Sequence, residues 1–492
     1  MHFASSLRQH PITWAAYSLS ALLLLSGCAP TPHLEQAQTT LPESWPTDSF
    51  APASPTAEKV SIPEWQSMVQ DPVLQQLLTQ ASAYNHDLRL ALLRAEEARA
   101  AYGIERANRL PQLAVGSSHA RALVPGDLNA SGKPVIGSEH QVFVGMNSWE
   151  LDLWGRVRSM SEAALQQYLA TEAGAQAARQ ALLAQVARTY VALREADGRL
   201  HITRHTRDSR AETLRIFTRR TEVGSTSKYA LSQVQSLYHQ AQAIVVQIEQ
   251  ERAQTAHALH LLTGANVNQL PETEMRRQAS IFAEVPVGLP SSVLAARPDI
   301  QAAEHQLQAS HARVDAARAA FFPRIVLSGN LGSSSAQLDG LFESGSKAWS
   351  FVPSISLPIF DGGQRRANLD LAAVRQHSAV VQYEQTVQNA FREVADALSA
   401  RHAWTQQVEI QHHNLLALQE RARLAQLRYD NGASPYLDVL DAQRDLLTAA
   451  QQVVQVHYAL QNAYISLYTA LGGGTTLGAP AAATPSAHNT EH

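Results

Sequence analysis

Leu437, Asp441 and Arg444 occupy positions i, i+4 and i+7 of one stretch, which puts all three on a single helical face. An aliphatic side chain, a carboxylate and a guanidinium in that order give the face an apolar end and a charged end. Three copies around an axis would bring three Asp441 carboxylates together. Two plainer readings stand beside this one: Asp441 and Arg444 form an ordinary i,i+3 surface pair, and Leu437 packs on a neighbour. Covalent chemistry has no comparable candidate. The chain holds 20 histidines and one cysteine, Cys28, so a disulfide framework and a cysteine-rich metal site are excluded. No HExxH, GxSxG, P-loop or dinucleotide motif occurs, and adjacent His412 and His413 point to different parts of a helix surface. DGGQRR at 361–366 lacks the Walker pattern; its glycines fit a bend from strand into helix, with Asp361 as a cap. The sequence predicts no enzyme, no cofactor and no metal.

Composition narrows the partners. The chain has 492 residues, 17% charged and 45% hydrophobic, with a formal net charge of -4, so no general basic field exists for nucleic acid. Residues 1–27 read as a signal peptide: Arg8, an apolar run from Ile12 to Leu25, then small residues. LSGC resembles the lipobox of bacterial lipoproteins, in which Cys28 becomes the lipidated first residue; a simple signal peptide with a chance cysteine is the alternative. Ala29 is compatible with outer-membrane sorting, and 28–61 read as a tether rich in Pro, Thr and Ser. No later apolar run reaches 18 residues, so deeper insertion must use strands.

The mature chain repeats itself. NHDLRLALLRAEEARAAYGIERANRLPQL from Asn85 matches RPDIQAAEHQLQASHARVDAARAAFFPRI from Arg297, with Asp87 and Asp299 212 residues apart. EVGSTSKYALSQVQ from Glu222 matches DNGASPYLDVLDAQ from Asp430, with Gly224 and Gly432 208 apart. Each repeat, 62–264 and 296–473, has one order of elements, separated by a linker at 265–295 and followed by a tail at 474–492. First comes a helix of about 24–27 residues ending just before Pro111 or Pro323. Two short strands follow, at about 112–120 and 141–151, then about 324–334 and 349–357, with loops at 121–138 and 332–348. Long helices follow at about 156–219 and 227–262, then 364–430 and 435–470. Gly155 in LWGR, and Gly362 and Gly363 in DGGQRR, mark the bends from strand into helix, and Gly224 and Gly432 the turns between helices. The positions equivalent to Leu437, Asp441 and Arg444 are Tyr229, Gln233 and Ser236, which carry no charge. Leu440 and Val439 turn away from that face and suit a core.

Helices of this length need neighbours along their whole course. Four strands cannot close a membrane barrel, which takes at least about eight. The chain must oligomerise or stay out of the bilayer. A trimer supplies twelve strands; a small periplasmic sheet covered by protein is the competing arrangement.

The chain resembles the outer-membrane efflux factor family, in particular its lipoprotein branch. The segments that carry the likeness are Cys28, ELDLWGR at 150–156, AARAAFFPRI at 316–325, LPIFDGGQRR at 357–366 and RYDNGASPYLDVLDAQRDL at 428–446. The resemblance implies a mixed, mainly α fold: a homotrimeric outer-membrane β-barrel, four strands per protomer, continued by a long periplasmic α-helical barrel. It also implies an equatorial collar from residues around 62–83, 265–295 and beyond about 471. The function implied is passive export of drugs or other small toxic compounds from a resistance–nodulation–division pump through a periplasmic membrane-fusion adaptor. Leu437 and Asp441 would then form apolar and acidic rings at a periplasmic aperture, with Arg444 in its linking network. The turns at Gly224 and Gly432 would meet the adaptor, and Cys28 the lipid of the outer membrane. A type I protein secretion duct and a lipid-anchored coiled-coil scaffold without a pore remain the alternatives.

Overall fold

The structure, a computed structural model, describes residues 64–266, 281–283 and 291–473. The signal peptide, Cys28 and its tether, much of the 265–295 linker and the C-terminal tail lie outside the described residues. Among the described residues, seven helices of 13 residues or more and four strands follow in chain order, after a short helical turn at Trp65–Met68: α1 Pro72–Tyr84, α2 His86–Ala107, β1 Leu113–Val124, β2 Val135–Glu150, α3 Arg156–Glu222, α4 Lys228–Thr263, α5 Pro298–Ala319, β3 Arg324–Ser335, β4 Lys347–Ser356, α6 Gln364–Asp430 and α7 Tyr436–Ala470. Helices α3 and α6 each have 67 residues, about 100 Å at 1.5 Å per residue. Helices α2, α3, α5 and α6 lie side by side, while α4 and α7 fold back on α3 and α6 as antiparallel hairpins.

Helices α2 and α5 have 22 residues, fewer than the sequence suggests, and stop at Ala107 and Ala319 rather than just before proline. Tight turns intervene: Leu110 N–H donates to Ala107 O at 3.0 Å and Phe322 N–H to Ala319 O at 3.2 Å. They swing the chain toward the sheet before the proline restriction acts.

The strands form one antiparallel sheet in the order β1-β2-β3-β4. The loops expected at 121–138 and 332–348 are shorter, because ladder pairing continues through polar residues. Arg121 pairs with Ser138, Leu123 with Ile136 and Ser333 with Lys347. Leu357 falls just outside β4. Register separates the faces. One carries Leu113, Val115, Val144, Leu331, Trp349, Phe351 and Ile355, all exposed. The other is mainly small or polar: Ala114, Gly145, Asn330 and Ser350 form one row across it. A bulge between Met146 and Trp149, with Ser148 at φ 61, resets the alternation and keeps Trp149 on the apolar face. On the small-residue face the Phe143 ring lies against Gly116 and Gly145, and Gly332 faces its Cα and Cβ. A Cβ on any of these glycines would come within 2.8 to 3.2 Å of the Phe143 side chain.

The main core gathers around the middle of α3, where Tyr190, Val191 and Leu193 are fully buried against α1, α4 and α7. A polar chain crosses it. Asp71 caps α1 by accepting from Val73 N–H and Leu74 N–H, and accepts from Tyr190 Oη at 2.7 Å. Arg194 Nε donates to Tyr190 Oη at 3.0 Å, and its Nη1 meets Asp197 Oδ2 at 3.0 Å. Arg252 on α4 completes the chain at 2.6 Å from Asp197 Oδ1. Each buried polar atom so paired avoids a desolvation cost of about 1–3 kcal/mol. Burial also pushes the nearby Tyr458 phenol up to about 12. Segments far apart in sequence join here, as Val69 bridges Phe282 and Ala283 N–H donates to Met68 O at 2.8 Å.

Candidate functional site

The strand-to-helix bends are built from glycine and aspartate. Gly155 (φ 79), Gly362 (φ 63) and Gly363 (φ 89) adopt left-handed backbone, which lets each chain leave the sheet directly into α3 or α6. Asp361 accepts from Gly363 N–H at 3.1 Å and Arg365 N–H at 3.2 Å, and holds Arg365 Nε at 2.6 Å. That side-chain bond keeps its carboxyl below the usual range. Asp152 accepts from Arg158 N–H at 2.7 Å in the first repeat. Trp154 donates from Nε1 to Pro323 O at 2.8 Å and stacks on Phe322, tying the first bend to the second repeat. Glu150 joins Arg156 at 2.8 Å and Arg324 at 2.6 Å beneath the sheet.

At the opposite end, each helical hairpin turns on a left-handed glycine, Gly224 (φ 72) or Gly432 (φ 70). Ser225 N–H donates to Arg220 O and Ala433 N–H to Arg428 O, both at 2.8 Å, the six-residue closure that satisfies a helix's last carbonyls. Leu437 is 46% exposed, while Val439 and Leu440 are at 1% and 6%. Asp441 and Arg444 lie 3.2 Å apart, the plain i,i+3 pair of the first alternative, and the pairing continues. Arg444 reaches Asp445 at 3.5 Å, and Asp445 meets Arg421 of α6 at 2.7 Å. The ladder therefore spans α6 and α7. All four side chains are at least a third exposed, so each bond is worth about 0–1 kcal/mol and can open cheaply.

The two hairpin tips also touch. Arg220 Nη1 donates to Tyr429 Oη at 2.9 Å, and Phe217 lies 4.5 Å from the Tyr436 ring, which Tyr429 meets edge-on at 4.8 Å. Burial raises the Tyr436 phenol above its ordinary value. Sequence reasoning passed over Arg421, Asp445, Arg220, Tyr429, Phe217 and Tyr436. Hairpin symmetry carries a signal for some of them. Arg421 stands eleven residues before Gly432 and Asp445 thirteen after it, Tyr429 three before and Tyr436 four after. Residues nearly equidistant from an antiparallel turn face each other. His412 and His413 have ring centroids 6.4 Å apart, and among the described residues no three His, Cys, Asp or Glu side chains gather to hold a metal ion.

The model of the outer membrane efflux protein family matches residues 77–265 and 289–473, one segment in each repeat. The solvent efflux pump outer membrane protein SrpC of Pseudomonas putida is 40% identical over 457 residues, covering 92% of this chain and 97% of that protein. Outer membrane protein OprJ of Pseudomonas aeruginosa is 39% identical over 464 residues, covering 93% and 96%. Among solved structures, the open state of the Neisseria gonorrhoeae MtrE outer membrane channel superposes with a TM-score of 0.79. It is 36% identical and covers 91% of this chain and 99% of that one.

Proposed function

We propose, starting from the fact that this chain belongs to the outer membrane efflux protein family, that three copies close into one duct whose periplasmic tip opens for cargo. The chain is an outer-membrane channel component of an efflux system. The observation that carries the trimer is the sheet itself. β1 and β4 end it with unpaired outer edges, and its apolar face is bare. In lipid, each unpaired backbone group costs several kcal/mol, so the edges must meet other copies. Three copies give twelve strands.

The cargo is proposed to be organic solvents, drugs or other small apolar toxic compounds, in keeping with the named activity of SrpC. A resistance–nodulation–division pump would deliver it through an adaptor seated on the turns at Gly224 and Gly432. Leu437 and Asp441 form the aperture, with Arg444, Asp445 and Arg421 holding α7 to α6, and Arg220 with Tyr429 holding the two hairpins together. These exposed ties resist opening weakly, which suits a gate released by docking. Acylated Cys28 would hold the protein at the membrane, since several acyl chains exceed the marginal grip of one.

Mass measurement of the detergent-solubilised complex, followed by single-channel recording in planar bilayers, tests the duct. Three copies and discrete conductance steps are expected; a monomer without conductance defeats it. For the anchor, mass spectrometry of the mature N-terminus is expected to show an acylated residue 28, and Cys28→Ser to lose the acyl groups while keeping the helical fold. An unmodified chain that retains residues 1–27 rejects lipidation.

A further inference from the structure

Near the bends, α3, α5 and α6 enclose a cleft of about 570 Å³ on one side of their layer. Four arginines line it, Arg156, Arg313, Arg365 and Arg375, and no carboxylate does. Arg156 and Arg365 are committed to Glu150 and Asp361, which lie outside the lining. Arg313 and Arg375 differ. Both are exposed; Arg313 has only Gln167 Oε1, at 3.2 Å, and Arg375 makes no ion pair among the described residues. Beside these guanidinium groups the lining mixes Met160, Leu371 and alanines with the neutral polar side chains of Gln167, Gln306, Ser310, Asn368 and Gln382. A hollow with positive charge, a partly apolar wall, neutral hydrogen-bonding groups and no acid in its lining has the chemistry of a site for an amphiphilic anion.

We infer that this cleft is a way-station in the duct for organic anions, a carboxylate or sulfonate on an apolar body, held by Arg313 and Arg375. The inference rests on the duct reading, in which three protomers close the layer of helices into a tunnel, and takes the cleft to face its bore. Three copies then place six uncommitted guanidinium groups at one level of the wall. Guanidinium suits the role because its planar donors pair with both oxygens of a carboxylate or sulfonate. Such a ring would attract anions near the barrel, at the far end of the tunnel from the three Asp441 carboxylates.

The test records trimers in planar bilayers with naphthalene-2-sulfonate added on the barrel side and 2-naphthol as its neutral counterpart. Wild type is expected to show a concentration-dependent block by the sulfonate and at least tenfold weaker block by the naphthol. In Arg313→Gln/Arg375→Gln the sulfonate block should weaken about tenfold while unblocked conductance stays within twofold. Arg313→Lys/Arg375→Lys, which keeps the charge, should retain block within about threefold of wild type. Sulfonate block that is absent in wild type, or unchanged within twofold in the Gln variant, overturns the site while leaving the duct intact. Trimers without conductance bring down the duct reading and the site with it.

Discussion

Helices α3 and α6 have the same length, the same place in their repeats and the same left-handed glycine at the start, yet they are packed differently. Helix α3 buries 22 of its residues against α1, α2, α4, α5 and α7; α6 buries four, Val387, Ala390, Val394 and Ala397. On α6, Val374, Val381, Ile410, Leu416 and Leu427 are 49–62% exposed. Charges follow the same division. Asp197 on α3 is enclosed between Arg194 and Arg252, whereas Arg421 and Asp445, which bind α6 to α7, stay in contact with solvent. The first hairpin is completed within the protomer. The second leaves an apolar flank exposed and holds its tip by exposed ion pairs, so the proposed gate would place stability and movement in different repeats of one design.

Removing a buried partner breaks this contrast most sharply. Asp197→Ala removes the buried carboxylate that Arg194 and Arg252 share and is expected to cost about 3–5 kcal/mol, read by thermal or denaturant unfolding. The Asp441→Ala counterpart should cost no more than about 1 kcal/mol in the same assay. Equal losses would erase the distinction between the hairpins.

Function should show the reverse order. Asp441→Ala removes three carboxylates from the proposed aperture and frees Arg444, so conductance should rise and the reversal potential under asymmetric salt move toward lower cation preference. Leu437→Ala should widen the opening with a smaller change in selectivity. If Asp441→Ala trimers assemble and keep wild-type conductance and selectivity across pH 5–8, the acidic ring is not the gate. Tyr429→Phe deletes the acceptor of Arg220 and should give a lesser rise in conductance at a cost of about 1 kcal/mol.

The smallest effect sharpens the comparison at the bends. The Arg365 side-chain bond lowers the Asp361 carboxyl, so its contribution is present above the ordinary carboxylate pKa and vanishes as pH falls through the lowered value. Asp361→Asn should therefore unfold at slightly lower temperature than wild type at pH 7, and the two should converge in strong acid. A gap that persists there would show that geometry rather than charge supports the bend.

What could be read directly from the sequence was whatever recurs or forces the backbone. The glycines at both bends and both turns stand out because few other residues accept their φ, and Val439 and Leu440 were separable from Leu437 by helical phase alone. The shorter α2 and α5 were not legible, since tight turns before a proline leave no compositional mark. The ends of the strands were missed because pairing, not apolar alternation, carries them past Arg121 and Ser333. The Asp71–Tyr190–Arg194–Asp197–Arg252 chain was hidden because its members come from three helical regions and each alone resembles a solvated residue. At the tip, Asp441 and Arg444 were visible as neighbours on one face; Arg421 required folding the hairpin around Gly432.

Phe143 gives the barrel wall a consequence of its own. Its ring rests against strand backbone that Gly116 and Gly145 leave uncovered, in the space a Cβ there would fill. A methyl group at Gly116 would meet the ring at 2.8 Å, while one at Gly332 would meet Val142 O at 2.0 Å and Phe143 Cα at 2.6 Å. Alanine at Gly116 would lift the ring off the wall and swing it inward, three times over in a trimer. In the proposed barrel the missing side chains would set the calibre of the exit: a small residue enlarged on the wall would act as a stopper far from the helical tip.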